Sequence, residues 1–381
     1  MRIILSKRIY LLVLLVFSVF PTFSQTGERK NVNFPDIPGY KTLKCDFHSH
    51  TFLSDGNVSP EFRVKEAWAD GLDVIAITDH IDELPKAKFD KKGKTELYQQ
   101  AYSTAKKSGI ILIAGGELTK IKPVGHYNLL FLKSFGSVKR GRYMSVLKRA
   151  KKQSAFIVWN HPGWGKKNAK STWYKVQSRI YQKGLMNGIE IANGRKLYPS
   201  AFQWAIEKNL TIFGNSDIHD STKNSYREMK GEHRPMTLVF AQDTTLQSIK
   251  EALTAKRTSV YYKEELYGEE KFLIPLFTSS IEIPNKNIIL YQGFSSKTAV
   301  IVIINNSCFD YKLKLAVQIN DLELPGEITL KANSKNEFIV KVKPDAVVGE
   351  RDYKCPYNID NLYKSSNENI QIEIPLHVMI I

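Results

Sequence analysis

The sequence predicts an α/β domain built on a mainly parallel sheet, followed by a small C-terminal β-sandwich. Over residues 43–241, short β-branched runs alternate with helical stretches. These runs are apolar almost throughout, as strands covered by helices on both faces are. After about Phe272 the pattern changes to alternating strands separated by turn residues, and convincing helices are absent. Short strands at that spacing are typical of a sandwich.

Eight runs are expected to form the strands of the first domain. They cover residues 43–46, 74–78, 110–114, 128–132, 156–159, 189–192, 211–213 and 236–240. One intervening helix is clearly delimited, with Ser59 as its N-cap, Pro60 in its first position and Gly71 as its stop. Another is expected to begin at about Thr245. These elements give an α/β domain over residues 41–272 and a sandwich over residues 273–381.

The N-terminus has the pattern of a secretory signal peptide over residues 1–24. Three positive charges precede an apolar run at 9–23, and small residues stand before an expected cut near Gln25. An uncleaved membrane anchor is the alternative. We expect cleavage, because a polar stretch follows at once, and therefore a periplasmic or secreted protein without a stable membrane anchor. Residues 25–40 would form a linker.

Composition describes an ordinary folded protein of 381 residues, 43% hydrophobic and 24% charged. The net charge is +17, and loss of three positive charges with residues 1–24 leaves +14. Cys308 and Cys355 could pair in an oxidising compartment, while Cys45 stands alone in the first domain. The pairing and the oligomeric state stay open at this level.

Histidines are concentrated in short polar segments. Six of the eight stand beside carboxylates or turn residues, in the segments 46–50, 78–80, 160–162 and 216–219 and at His126, nine residues after Glu117. Imidazole mixed with carboxylate, without cysteine, is ligand chemistry for Mn, Fe or Zn. There are enough such groups for more than one ion.

Their positions favour a site over scattered polar groups. His48, His80, Glu117, His161 and Asp217 all fall at or just beyond the C-terminal ends of predicted strands. In a barrel of parallel strands, active sites are built at that end. The chain is therefore interpreted as a hydrolase with a multinuclear metal centre.

Within the first segment, His48 and His50 are two residues apart and would face the same side of an extended chain. Three neighbouring polar residues, Asp46, Asp79 and Asn160, are expected to orient the ligand imidazoles beside them.

The motifs over residues 43–262 resemble the PHP (polymerase and histidinol phosphatase) superfamily. They include His48-Ser49-His50, Thr78-Asp79-His80, Asn160-His161-Pro162 and Ser216-Asp217-Ile218-His219. The resemblance implies a distorted (β/α)7 barrel that binds up to three divalent ions. It assigns the first ion to His48, His50, Glu117 and Asp217, the second to Glu117, His126 and His161, and the third to Asp55, His80 and His219. Mn2+ is favoured, with Zn2+ and Fe2+ as alternatives.

Segments 117–128, 161–164 and 233–237, with the C-terminal β-domain, are similar to the exported Sb-PDE-like bacterial phosphodiesterases. That branch carries an arginine where this chain has Lys120. The resemblance implies hydrolysis of a small anionic phosphoester, a phosphodiester above all, by a hydroxide held between two ions that Glu117 bridges.

Three further side chains are candidates for catalysis. Arg234 and Lys120 would clamp a phosphoryl oxygen, and His233 would protonate the leaving group. Each also has a purely structural interpretation: Arg234 as a surface ion-pair partner, Lys120 as a solvated lysine and His233 as an exposed imidazole. The basic, glycine-rich segment 163–167 would draw anions toward His161.

Other functions stay open. A nuclease or nucleotidase of the same superfamily would suit the positive charge, although the interleaved aromatic and basic residues of a single-strand platform are not evident. A phosphomonoesterase is another alternative. A non-enzymatic surface binding protein would use the β-domain, but none of the nine ligand positions is lost.

Overall fold

The computed structural model describes residues 28–82, 96–138, 141–166, 168, 170–293 and 297–381. The predicted signal peptide and Lys167 lie outside these ranges. Among the helices within them, none is long and apolar enough to cross a membrane.

The first domain alternates strands and helices. Its strands are β1 (Lys41–Asp46), β2 (Val74–Ile77), β3 (Ile111–Leu118), β4 (Tyr127–Leu130), β5 (Phe156–Trp159), β6 (Gly188–Asn193), β7 (Lys196–Leu197), β8 (Thr211–Asn215), β9 (Met236–Ala241), β10 (Thr258–Tyr262) and β11 (Glu265–Gly268). Its helices are α1 (Pro60–Ala69), α2 (Glu96–Ser108), α3 (Tyr143–Lys152), α4 (Lys175–Gln182), α5 (Pro199–Glu207), α6 (Thr222–Ser225), α7 (Leu246–Thr254) and α8 (Glu270–Ser280), with a 3-10 turn at Glu228–Lys230.

Two helix starts follow the capping signals in the sequence. The Ser59 hydroxyl accepts a hydrogen bond from the backbone N–H of Phe62 at 3.0 Å, and Pro60 opens α1. Thr245 caps α7 by accepting from the N–H of Ser248 at 3.1 Å. Both contacts satisfy a backbone donor that has no partner inside the helix.

Seven strands close into a barrel in the order β1-β2-β3-β4-β5-β6-β8. The closure between β8 and β1 lies just beyond the strand ends, where Ser49 pairs with Ile218. There His50 N–H donates to the Ile218 carbonyl at 2.9 Å, and Asp217 N–H donates to the His48 carbonyl at 2.8 Å. The distorted seven-stranded barrel is confirmed, and its closure joins two of the histidine-bearing segments directly.

The sheet is less parallel than the sequence suggests. β4 runs antiparallel to both β3 and β5, because residues 119–126 are too short to form the crossover that a parallel strand needs. The run at 236–240 forms β9, which pairs antiparallel with β1. Apolar side chains from β1, β2, β3, β5 and β8 pack in one cluster, as in the filled interior of a small barrel: Cys45, Ala76, Ile113, Val158 and Phe213.

The C-terminal domain is a sandwich of two sheets. One sheet has the order β12-β14-β18-β16, and the other places β13, β20, β19, β15 and β17 side by side. The strands are β12 (Ile281–Glu282), β13 (Asn287–Leu290), β14 (Thr298–Asn305), β15 (Tyr311–Leu315), β16 (Leu322–Glu323), β17 (Glu327–Leu330), β18 (Ser334–Val342), β19 (Gly349–Ser365) and β20 (Glu368–Ile380). Alternating buried and exposed residues along β18 and β20 agree with the predicted sandwich.

The two domains share a strand and a core. After pairing with β15, strand β19 continues beside β11, where Leu266 is opposite Leu362. Helix α8 crosses the expected boundary at 272/273, so the expectation that helices end there is wrong. In the segment predicted as a linker, Phe34 and Ile37 are buried in the core formed with the sandwich. Cys45, Cys308 and Cys355 are free thiols, so the last two do not pair.

Candidate metal centre

The nine predicted ligands come from one end of the barrel. Five of them stand at or just after the ends of β1, β2, β3, β5 and β8, at His48, His80, Glu117, His161 and Asp217. The other four follow in the adjoining loops, at His50, Asp55, His126 and His219. His161 and Asp217 adopt positive φ angles of 26° and 53°. Such backbone is unfavourable for these residues and is found preferentially at functional sites.

The first predicted ligand set converges on one point. His48 Nε2 and His50 Nε2 are 3.1 Å apart, and each is 3.1 Å from Asp217 Oδ1. Glu117 Oε1 lies 3.5 Å from His48 Nε2. Two ligands that bind one ion at about 2.1 Å are themselves about 3.0–3.5 Å apart. These four side chains therefore have the spacing of a shared cation.

The second set shares the same carboxylate oxygen, Glu117 Oε1. Glu117 Oε1 lies 3.2 Å from His126 Nδ1 and 3.4 Å from His161 Nε2. Its other oxygen, Oε2, faces His80 Nδ1 at 2.8 Å. Glu117 thus lies at the centre of the cluster, with each oxygen facing a different group of imidazoles.

The third set lies nearest to solvent. Asp55 Oδ2 is 3.3 Å from His80 Nε2 and 3.2 Å from His219 Nε2. The His219 ring stacks on that of His50, with centroids 4.1 Å apart. The structure groups His50 with these three residues as well, so His50 stands between the first and third sets.

Three atoms at the centre need a partner that the described protein groups do not provide. His50 Nδ1, His126 Nδ1 and Asp217 Oδ1 are buried and make no hydrogen bond within the described ranges. A buried polar atom without a partner is costly. Lone pairs directed into a cluster of imidazoles and carboxylates are what a divalent cation would satisfy, so these residues fit the metals implied by their chemistry.

The centre holds its carboxylates in the charged form. Burial alone would raise the pKa of Glu117, but the imidazoles of His48, His126 and His161 hold it well below its usual range. The pKa of Asp217 is likewise lowered well below its usual value, against the effect of burial, chiefly by His48. Conversely, the pKa of His48 is raised well above its usual value, because the neighbouring carboxylates outweigh burial. Anionic carboxylates are the form that binds metal.

Glu190, which the sequence analysis did not select, supports the centre from behind. Its Oε1 accepts from His48 Nδ1 at 2.8 Å and from Asn215 Nδ2 at 2.9 Å. Its Oε2 accepts from the backbone N–H of His161 at 2.7 Å and from Asn193 Nδ2 at 2.8 Å. A carboxylate in this position fixes the ring orientation and tautomer of a ligand histidine. The only signal in the sequence is an acidic residue inside the apolar run 189–192.

Asp46, Asp79 and Asn160 do not orient imidazoles as predicted. Asp46 accepts from the backbone N–H of Ser216 at 3.1 Å and from its hydroxyl at 2.5 Å. Asp79 accepts from the N–H and hydroxyl of Thr51, at 2.7 and 2.8 Å. These carboxylates hold the loops after β8 and β1 in place.

Asn160 contacts a ligand, although not the neighbouring imidazole. Its amide donates to Glu117 Oε1 at 2.7 Å. It therefore fixes the central carboxylate rather than His161.

Arg234 is not a substrate clamp. Its side chain is 1% exposed and lies behind the centre, 2.8 Å from Asp70, 3.1 Å from Asp46 and 3.3 Å from Glu66. Burial alone would lower its pKa, but the three carboxylates raise it, so the guanidinium stays charged. The prediction is wrong because the guanidinium is buried and ion-paired with these three carboxylates.

A second buried arginine, Arg63 of α1, binds the loops that carry ligands. Its guanidinium donates to the carbonyl oxygen of His50 at 3.0 and 3.2 Å and to that of Asp220 at 2.9 Å. Its charge is balanced by Glu66. The sequence analysis did not select this arginine.

His233 does not face the centre with a free nitrogen. Nδ1 lies 2.7 Å from the carbonyl oxygen of Arg234, and Nε2 lies 2.8 Å from that of Lys263. The ring also stacks on Tyr261 at a centroid distance of 4.2 Å. With both nitrogens engaged by backbone, this arrangement contradicts the predicted leaving-group acid.

Lys120 stays a candidate, since it lines a pocket together with His126 and His161. Its Nζ lies 2.6 Å from Asp82 Oδ2, and its side chain is about one-third exposed. The preceding residue, Thr119, contacts His80 Nδ1 through its hydroxyl at 2.5 Å. The positive charge of Lys120 therefore lies close to the ligands and is partly balanced by Asp82.

Comparison with known proteins agrees with a barrel bearing a metal centre, joined to a β-sandwich. The PHP domain model matches residues 46–218, and an Ig-like domain model matches residues 289–375. A solved two-domain protein from Bacteroides vulgatus, described as containing a predicted PHP-like metal-dependent phosphoesterase, is 35% identical. The match covers 92% of this chain and 99% of that one, with a TM-score of 0.82.

An amidohydrolase structure from Chromobacterium violaceum is more distant, at 15% identity over 47% of this chain and 88% of that one, with a TM-score of 0.35. The search of curated proteins found no match. Fold and ligand set together define a PHP-type metal-binding protein. The identity and coverage of the Bacteroides vulgatus match show that this chain belongs to the PHP family.

Proposed function

We propose that the protein is an exported hydrolase of small phosphodiesters that works with up to three divalent ions. The observation that carries this proposal is the convergence of nine ligand side chains, Glu117 among them, with unpartnered ligand atoms directed inward. The similarity to a protein described as a metal-dependent phosphoesterase supports the reaction class.

When bound, divalent ions would activate a water molecule and neutralise phosphoryl oxygens. The chain's own contribution is to hold ligands in a fixed arrangement. Glu117 lies beside His48 of the first set and beside His126 and His161 of the second set, so this carboxylate would help to hold an ion in each. Glu190 prevents the His48 ring from turning, because it binds the nitrogen opposite the cluster.

The two cations predicted to clamp the phosphoryl group are both ion-paired with carboxylates, which favours a diester over a monoester. A monoester brings a second negative charge and needs more positive charge around the phosphoryl group. Arg234 is buried in its own carboxylate cluster, and Lys120 is paired with Asp82. Neither supplies the additional free cation, so we expect monoesters to be poorer substrates.

A substrate panel tests the proposal. The protein is purified without chelators, supplied with Mn2+, Zn2+ or Fe2+, and its metal content is measured by elemental analysis. It is then assayed on small phosphodiesters, phosphomonoesters and long DNA. We expect more than one ion per chain and fastest turnover of diesters. Less than one ion per chain contradicts the metal centre, whereas faster turnover of monoesters or DNA moves the assignment to a phosphatase or a nuclease.

The proposal of export rests on the N-terminal pattern of residues 1–24. Sequencing the N-terminus of mature protein from the periplasmic or secreted fraction should show a start near Gln25. Retention of the N-terminal residues in the mature protein would instead support a membrane anchor.

A further inference from the structure

A separate pocket of about 270 Å³ opens beside the second ligand set. His126 and His161 form the part nearest to the centre, and the loop between β3 and β4 forms the opposite wall. Pockets for drug-sized ligands span about 300–1,000 Å³. The space is therefore suited to one ring or one short chain and is too small for a polymer segment.

The walls of this pocket are mostly apolar. Trp164 is 54% exposed and tilts over both ligand rings, with centroids 5.6 Å from His126 and 6.0 Å from His161. Pro123, Pro162, Ile121 and Trp159 also line the pocket. A large, half-exposed indole next to metal ligands offers a flat face to any group that enters.

Contacts from neighbouring elements hold the pocket open. Lys122 donates from Nζ to the carbonyl oxygen of Trp164, so the two walls are linked. Gln177 of α4 donates to the carbonyl oxygens of Pro123 and Val124, at 2.9 and 2.8 Å. The pocket is thus held by hydrogen bonds on both sides.

Positive charge surrounds the apolar walls. Lys166 Nζ lies 2.9 Å from the Thr172 hydroxyl and 3.2 Å from the Tyr174 hydroxyl, and Lys122 binds a carbonyl. Since these acceptors are neutral, they do not cancel the two charges. An apolar pocket with a cationic rim suits a ring attached to an anionic group.

We propose that this pocket binds the organic group of the phosphoester substrate and selects a flat aromatic ring that lies against Trp164. The inference rests on the proposed function, since it requires the phosphoryl group to sit at the metal centre. The pocket would bind the organic group of the substrate, which is the part that the metals would not contact. Trp164 would then be a specificity-determining residue.

Binding of two phosphonates that are not hydrolysed tests this inference without relying on turnover. Phenylphosphonate and methylphosphonate share the anionic group and differ in the organic group. Titration calorimetry on the metal-loaded protein should show phenylphosphonate binding about tenfold more tightly, the size expected for a ring packed on an aromatic face. W164A should remove most of that difference, and W164F should keep most of it. Methylphosphonate affinity should stay constant in both variants, which also verifies that the site is folded.

Met229→Ala is the matched control, because Met229 is a fully exposed large apolar residue that does not line the pocket. Equal affinity of the wild-type protein for the two phosphonates would overturn the inference, as would an equal loss of both in W164A. If either of these results is found but methylphosphonate still binds and diesters are still hydrolysed, the proposed function stands. If neither phosphonate binds and no diester is hydrolysed, the proposed function fails, and this inference with it.

Discussion

Replacing Glu190 with glutamine tests how strongly the buried carboxylate supports the metal centre. The substitution keeps the size of the side chain and removes its charge. Glu190 accepts four hydrogen bonds, two at each oxygen. Glutamine has one acceptor oxygen, so its amide nitrogen must face two donors whichever way the group turns.

Both orientations disturb a ligand. If the amide nitrogen faces the His161 side, it opposes a backbone N–H that cannot turn away. If it faces His48, that ring must accept at Nδ1, which places the proton on Nε2, the atom directed at the cluster. Changes of this kind typically weaken metal affinity or activity by about 10–100-fold, or about 1.4–2.7 kcal/mol.

Competition with chelators of graded strength measures the affinity of the metal-free protein for Mn2+ or Zn2+. We expect E190Q to bind about 10–100-fold more weakly than wild type. Glu207→Gln is the control, because it removes the same charge from an exposed position on α5. An E190Q affinity within about twofold of wild type, with an unchanged circular dichroism spectrum, would refute the role assigned to Glu190.

Three further predictions concern the surrounding charges. Arg234→Ala leaves Asp46 without its cation and removes one of two cations from Asp70 and Glu66, which keep Lys30 and Arg63. Denaturant unfolding should therefore show a loss of about 3–5 kcal/mol in the free energy of unfolding, and a loss near zero would contradict the role of Arg234 as a buried ion-pair partner. Glu117→Ala should abolish turnover and lower metal content, whereas Asp79→Asn should cost about 10–100-fold at most; near-normal metal content in the Glu117 variant would contradict the bridging role. Metal binding at pH 7 should release about one to two protons, because the pKa of His48 is raised in the metal-free protein. Titration calorimetry in buffers of different ionisation enthalpy measures the number of protons released, and a value of zero would refute this prediction.

The pKa of His48 also sets the sign of a pH effect on the metal-free protein. A raised folded-state pKa contributes stability that is fully present below the unfolded value of about 6.5 and is lost as pH rises through the folded value. The metal-free protein should therefore lose this contribution above neutral pH. Saturating metal should remove the dependence, since a bound ion replaces the proton.

Local patterns were enough to predict the barrel strands and two helix starts. β-branched runs and capping residues act over a few neighbouring positions, so their effect is visible without the fold. The metal ligands could also be predicted, because imidazoles and carboxylates follow strand ends and those ends meet in any barrel with parallel strands. The antiparallel β4 was missed because an apolar run does not reveal its direction.

The sequence by itself therefore determined which side chains form the candidate ligand cluster and roughly where each element lies. Tertiary structure decided what faces the centre. Glu190 is a charged residue within an apolar run and Arg234 stands just before one, yet Glu190 supports His48 and Arg234 neutralises carboxylates behind the metal centre. Strand β19 likewise joins the sandwich to β11, a pairing between residues about a hundred positions apart. Such contacts depend on strand register and on closure of the barrel, which only the folded chain defines.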